Sequence, residues 1–349
     1  MAVYKKISKD NLVQFLQELT KDRILIAPVR EHDLVSFSPA ADAGQVDFTF
    51  QNSFVPPKSW FFPQTEQIFS FRIENGKYEL SEPSLPGGTV LFGVRPCDLK
   101  SILALDPVFD GKFDDNYYSD RRKNTIIIGL GCQSVGRGCF CFKVGGGPLE
   151  SNGADIFLTP AGGDFLAEGV TDQGTDLINK QSRFFSDSSA EQVDKEKREG
   201  TDRLLKQPTG LKGDFNLPKL KAFLDANYEI PYWEELSYRC LGCGICTYLC
   251  PTCHCFDIND YARTGLEGER IRCWDSCQFK DFTLMAGGHN PRPSKKERVR
   301  NRFMHKFKYH EDRYSIFGCV GCGRCVQKCP VNIDPRKIIL DLQEVAGNE

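Results

Sequence analysis

No stretch of this 349-residue sequence stays apolar for long. Runs such as TIIIGL at 125–130 fall far short of the roughly 20 apolar residues that a membrane-spanning helix needs. The opening MAVYKKISKDNLVQF lacks the apolar centre of a secretory leader, so the sequence reads as soluble and cytoplasmic. Charge of one sign is not in excess either. Lys+Arg 45 against Asp+Glu 47 leaves a net −2, which argues against a chain that binds nucleic acid or a membrane surface through its overall field. Neither GxGxxG nor GxxxxGK[ST] occurs, and with them goes the fingerprint of a bound nucleotide. No Ser-His-Asp or paired-carboxylate spacing stands out, so no residue is given a catalytic role.

What the sequence has in quantity is cysteine. Sixteen thiols in a reducing compartment point to metal or redox chemistry instead of disulfides. Four, Cys97, Cys132, Cys139 and Cys141, lie in the first 239 residues, and the other twelve fall between 240 and 329.

The runs Cys240-x2-Cys243-x2-Cys246-x3-Cys250-Pro251 and Cys319-x2-Cys322-x2-Cys325-x3-Cys329-Pro330 are two copies of the bacterial ferredoxin pattern. Three thiolates spaced three residues apart wrap a loop around three corners of a cubane. Gly242, Gly244, Gly321 and Gly323 permit the turns. The fourth corner is beyond that loop's reach, and in two-cluster ferredoxins each run's last cysteine serves the other cluster. One 4Fe–4S cluster is therefore expected on Cys240, Cys243, Cys246 and Cys329, the other on Cys319, Cys322, Cys325 and Cys250. A pair of zinc sites is the competing reading, but zinc ribbons use paired CxxC units without this three-plus-one run.

Between the two runs lies an insertion of roughly seventy residues carrying Cys253, Cys255, Cys273 and Cys277, with His254 and His289 nearby. CxC with CxxxC matches no assignable spacing, and these four stay open between a further metal site and packed thiols. The segment 291–313 holds nine Lys or Arg against three acids, interleaved with Phe303, Phe307 and Tyr309. Cysteine-ligated clusters are anionic, so compensation of their charge or partner docking is preferred over nucleic-acid binding.

In the N-terminal part, Leu12, Phe15, Leu16 and Leu19 repeat at helical spacing behind Ser8, and RILIAPV from Arg23, VDFTF from Val46 and TVLFGV from Thr89 read as strands. TVLFGV runs into Cys97, and the apolar run from Asn124 runs into Cys132. With a helix from Asp98 to Leu105 between them, a βαβ unit would bring Cys97 and Cys132 side by side. Cys139 and Cys141 follow on a glycine-rich loop. A third iron–sulfur site is expected there, with zinc or metal-free reduced thiols as alternatives. Helices are read over 217–227 and 231–238, and Asp334-Pro335 opens a closing helix. The whole is expected to be α+β: an α/β domain over 1–185, a polar linker or surface excursion over 186–216, and a mostly helical, ferredoxin-like dicluster domain over 217–349.

GVRPCDL (93–99), GCQSVGRGCFC (131–141), CPTCHCFD (250–257), WDSCQF (274–279) and AGGHNPRPSKKERVRNRFMHKF (286–307) go beyond a generic ferredoxin. Together they resemble the iron–sulfur β subunit of cytoplasmic sulfhydrogenase-type NiFe hydrogenases and the related A subunit of anaerobic sulfite reductase, from about Pro28 to the closing helix. Similar subunits occur in flavin oxidoreductases coupled to heterodisulfide reductase. The resemblance implies a non-catalytic electron-transfer subunit, placed between a flavin- and NAD(P)-binding subunit and a separate catalytic subunit, with the flavin on the partner. It also implies that Cys97, Cys132, Cys139 and Cys141 occupy family cysteine positions. Two other readings remain: an N-terminal domain with its own catalytic site fed by the ferredoxin part, and a redox sensor or nucleic-acid binder using the basic segment.

Overall fold

The computed structural model describes residues 3–84, 87–211 and 213–347. Its centre is an eight-stranded sheet, in the order 186–187, 3–7, 164–169, 156–161, 125–130, 89–94, 24–31 and 34–39. The four strands from 156–161 to 24–31 run parallel, and the outer ones are antiparallel. Both faces of the parallel strands are apolar because both are covered. Ile126, Ile128 and Leu130 point toward the helix Lys9–Leu19, packing with Leu12, Phe15 and Leu16. Ile127 and Leu91 point to the opposite face, against Leu99, Ile102 and Leu105 of the helix Pro96–Phe109. Ser8 caps the first of these helices, its hydroxyl accepting from the Asn11 N–H.

The fold is α+β, with two departures from the strand and linker expectations. VDFTF forms no strand: only Val46 bridges to Val29. The Asp47 carboxylate accepts from both the N–H and the hydroxyl of Thr49, a local turn that competes with a ladder. Phe48 and Phe50 then drop into different cores, one on each side of the sheet. The polar stretch from 186 supplies a short edge strand and the helix Ala190–Leu205. Ser189 caps that helix, and Val193, Gly200 and Leu204 are the buried positions, enough to seat an otherwise charged helix on the sheet.

The C-terminal part is built on helices Leu217–Ala226, Pro231–Arg239, Lys295–Met304 and Pro335–Val345, whose apolar faces share one core with Phe140. Asp334 caps the last of them as the sequence implied, its carboxylate accepting from the Arg336 N–H. It is not purely helical. The insertion between the cysteine runs forms a hairpin, Phe256–Ala262 with Glu267–Trp274, that pairs with Thr65–Glu74 and Lys77–Ser81 in a four-stranded antiparallel sheet. Arg272 of the hairpin, 4% exposed, donates from Nε to Glu66 at 3.1 Å and also pairs with Asp115. Among the described residues, no helix is long and apolar enough to cross a membrane.

Candidate metal centres

All sixteen cysteines are free thiols. Each ferredoxin run loops into a short helix, Ile245–Tyr248 or Arg324–Lys328, entered through Gly244 or Gly323 at positive φ. Cys240, Cys243, Cys246 and Cys329 line one cavity, together with Cys325. Cys250, Cys319, Cys322 and Cys325 line a second. The last cysteine of each run thus faces the cavity lined by the first three of the other. Burial pushes the Cys246 thiol up to about 11 and Cys322 up to about 12. Ligation by either therefore requires the site to expel its proton. Among the described residues no three His, Cys, Asp or Glu are disposed to hold a single metal ion.

The basic segment turns inward. It forms the helix Lys295–Met304, a π-helical turn His305–Tyr309 and a short helix His310–Tyr314. Arg302 and Lys306, on its inner side, line the second cavity, and Arg302 also lines the first. Burial alone would depress Lys306, but charge on Cys250 and Cys253 outweighs it and raises it; Arg302 is raised against its burial in the same way, chiefly by charge on Cys246 and Cys253. Lys306 Nζ donates to Thr252 Oγ1 at 2.7 Å. Lys308 and Arg300 point elsewhere, to Asp225 and Asp312 and to Glu229.

At the N-terminal cysteines, the parallel pairing of 89–94 with 125–130 carries Cys97 and Cys132 to one edge of the sheet. Arg95, 1% exposed, holds that edge together by donating to the Gly131 carbonyl at 2.6 Å and to the Phe50 carbonyl. Burial raises Cys132 to about 11, against the lowering effect of Arg95, and charge on Cys139 raises it further; burial and then charge on Cys132 and Cys139 raise Cys141. Cys97 is raised by burial and by Asp98, with Cys322 and Cys141 also acting on it. The four thiols therefore belong to one neighbourhood, and Cys322 of the second cavity borders it.

The contact between the two neighbourhoods is backbone on backbone. The Phe140 N–H donates to the Gly321 carbonyl at 2.9 Å. A Cβ on Gly321 would lie 2.4 Å from the Cys141 nitrogen, and one on Gly323 would lie 2.5 Å from the Gly138 carbonyl carbon. Gly321→Ala, with φ +66, also incurs a left-handed penalty of about 1–2 kcal/mol. It is expected to lose more stability than Gly242→Ala, whose φ is +70 but whose Cβ would meet only the Gln278 carbonyl at 3.7 Å. Denaturant midpoints of the two variants measure the difference. Side chains reinforce the contact: Arg324 grips the buried Asp98 with two hydrogen bonds, at 2.6 and 2.8 Å, and the Ser53 carbonyl with a third at 2.9 Å.

The four unassigned cysteines divide. Cys273 lies on the hairpin facing Thr65, while Cys253, Cys255 and Cys277 line a cleft beside the first two cavities. His254 packs against His305 with ring centroids 5.3 Å apart, and burial depresses both, to about 3 and about 2, so each is neutral. His289 is exposed, its carbonyl accepting from Met285 in a turn. Lys58, Arg95, Asp98 and Arg324 are site residues that sequence reasoning passed over. Lys58, 2% exposed, donates to the Cys253 carbonyl at 2.6 Å from 195 residues away, and no local pattern marks it. Arg95 and Asp98 flank Cys97 and Arg324 precedes Cys325, so an arginine or acid beside a ligand cysteine was the available signal.

Residues 239–333 match a family model described as a 4Fe-4S dicluster domain. Along the whole chain, the sulfhydrogenase 2 subunit beta of Pyrococcus furiosus is 32% identical over 341 residues, 98% of each chain. The chain belongs to the sulfhydrogenase β-subunit family. As a member, it is an iron–sulfur electron-transfer subunit, and the cavities described above lie within or against its dicluster domain.

Proposed function

We propose that the chain relays electrons within a hetero-oligomeric oxidoreductase, between a flavin- and NAD(P)-binding subunit and a catalytic subunit that carries the terminal reaction. The observation that carries this reading is the contiguity of three thiol neighbourhoods across the molecule. In it, Cys240, Cys243, Cys246 and Cys329 hold one 4Fe–4S cluster, Cys319, Cys322, Cys325 and Cys250 hold a second, and Cys97, Cys132, Cys139 and Cys141 hold a third. Thiols arranged around a cavity, instead of converging on one point, suit a polynuclear cluster better than a tetrahedral zinc ion with sulfurs at about 2.3 Å. When bound, such clusters supply one-electron donors and acceptors whose potentials follow burial, hydrogen bonding and local charge.

The chain's own residues provide spacing and charge. The Gly321–Cys141 contact fixes the N-terminal site against the second cavity, and Cys325 lines both ferredoxin cavities. Arg302 and Lys306 put two buried cations among the thiolates. At the other end, Cys243 is exposed and neighbouring Leu241 is 62% exposed, which favours this corner as the approach for a partner. The likeness to a named subunit of a sulfhydrogenase supports a hetero-oligomer.

Anaerobic purification from the native host, with iron and sulfide analysis and identification of co-purifying chains, tests the proposal. About twelve iron per chain together with a flavoprotein is the expected result. Zinc without iron, or a chain that purifies alone and turns over a small substrate by itself, would overturn it. Lys306→Met removes a buried cation, and the potential of the adjacent site is expected to fall by on the order of 50 mV, about a tenfold change for one electron. Redox titration followed by electron paramagnetic resonance reads that shift.

A further inference from the structure

Nine lysines and arginines are buried among the described residues, and they divide by partner. Arg272, Arg300, Arg324 and Arg336 each meet a carboxylate. Lys58, Arg95, Arg298, Arg302 and Lys306 meet none among the described residues, although a buried charge without a counter-charge is expensive to keep. Three of these five close on one turn, Cys250–Cys253, whose last N–H donates to the Cys250 carbonyl at 3.3 Å. Lys306 Nζ donates to Thr252 Oγ1, which itself lies 3.3 Å from Cys250 Sγ. Arg302 Nη1 is 3.7 Å from Cys253 Sγ. Lys58 arrives from the N-terminal part, on the short helix Pro57–Trp60, and donates to the Cys253 carbonyl.

Lys58 is fixed where it stands. Its Nζ lies 4.1 Å from the centre of the Trp274 ring, and Trp274 Nε1 donates to the Phe62 carbonyl at 3.1 Å. A carbonyl and a ring face ease the burial of the ammonium without cancelling its charge. Burial draws it down to about 8, so it is a cation at pH 7. The other two sites are less well supplied. Arg302 is the buried cation lining the first cavity, and Lys295, which donates to the Cys240 carbonyl at 3.1 Å, is exposed and therefore screened. The N-terminal thiols have Arg95, while Arg324 beside them is balanced by Asp98. No Asp or Glu lines either ferredoxin cavity. Buried cations free of carboxylates thus favour the second cavity.

We infer that the site on Cys250, Cys319, Cys322 and Cys325 has the highest reduction potential of the three, and that Lys58 is a positioning residue that sets it across the boundary between the two parts of the chain. The inference rests on the relay proposed above. Reduction adds one negative charge to a cluster, and fixed positive charge in a poorly screened interior favours the reduced form. Burial of the cluster itself acts in the opposite direction, and the three cations outweigh it. Cys322 borders the N-terminal thiols and Cys325 lines both ferredoxin cavities, so this site is the middle station. The first electron to enter the chain comes to rest there, between the two partners.

The test is an anaerobic redox titration of the holoprotein at pH 7, followed by electron paramagnetic resonance. As the potential is lowered, the signal that Cys319→Ala removes is expected to develop before the one that Cys243→Ala removes. In Lys58→Met the reduced-to-oxidised ratio of that earlier signal, read at a fixed potential, is expected to fall about tenfold, equivalent to about 59 mV for one electron. Iron content and the Cys243-dependent signal should not change, and Lys58→Arg, which keeps the charge, should behave as the wild type. A merely structural role would lower iron content or the denaturant midpoint and leave that ratio alone. The order of the two wild-type signals decides the ranking without any substitution at Lys58. A Cys319-dependent signal that develops second, or one that Lys58→Met does not move, refutes the inference and leaves the relay standing. A holoprotein with no signal sensitive to Cys319→Ala refutes the cluster assignment beneath both.

Discussion

Cys329→Ala is expected to empty the site built by the other cysteine run. The residue lies in the second run, yet it faces the cavity lined by Cys240, Cys243 and Cys246, eighty or so positions earlier in the chain. The variant should therefore lose about four iron and the same spectral signature as Cys243→Ala, while a signal assigned to Cys319, Cys322 and Cys325 persists. Cys250→Ala should show the mirror image. Transfer between partners is expected to fall by at least a hundredfold in either variant, because a missing station lengthens the remaining hop. Iron analysis paired with resonance spectra of the two alanine variants decides the assignment. If Cys329→Ala and Cys325→Ala lose the same signal, each run serves its own cluster and the crossed arrangement fails.

The second large effect is expected where no metal is bound. Asp98 is fully buried, and Arg324, 4% exposed on its side chain, spends two donors on it and two on Ser53. Burial works against the guanidinium charge and Asp98 more than restores it. Removing one partner leaves the other charge buried and unpaired, so Asp98→Ala should cost about 3–5 kcal/mol, measured as a drop in denaturant midpoint. Asp98→Leu combined with Arg324→Leu should recover much of that loss, since the penalty is the orphaned charge and not the missing attraction. The double variant should nevertheless load the N-terminal site poorly, because the pair also fixes the helix that carries Cys97 against the loop that carries Cys322. Equal losses in the single and double variants would show that packing, not charge, is what the pair supplies.

The local features of this fold were legible because they depend on neighbours in sequence. The helix behind Ser8, the parallel strands ending at Cys97 and Cys132, and the Asp334-Pro335 helix start each declare themselves within a few residues. The cysteine runs are legible for the same reason, since a loop around a cubane fixes its own spacing. VDFTF failed because alternation cannot distinguish a strand from a crossing segment whose aromatics enter two cores. The helix from Ala190 failed because three buried positions in sixteen leave almost no periodic signal. The direction in which the basic segment faces, the burial of Lys58 beneath Cys253 and the grip of Arg324 on Asp98 are long-range facts, with partners up to 226 positions apart. Composition suggested that cations would be near the clusters; only the packing says that Arg302 and Lys306, and not Arg300 or Lys308, are the ones.

The hairpin between the cysteine runs has a consequence for anyone who would cut the chain. Because Glu267–Trp274 lies between Phe256–Ala262 and Thr65–Glu74, severing the polypeptide near residue 210 does not release a free-standing ferredoxin. It opens a seam. One fragment would keep Thr65–Glu74 with its outer ladder bare, the other would keep Glu267–Trp274 with a bare edge of its own, and Arg272 would lose both Glu66 and Asp115 while Glu66 kept Arg121. The two halves are stitched across their shared border.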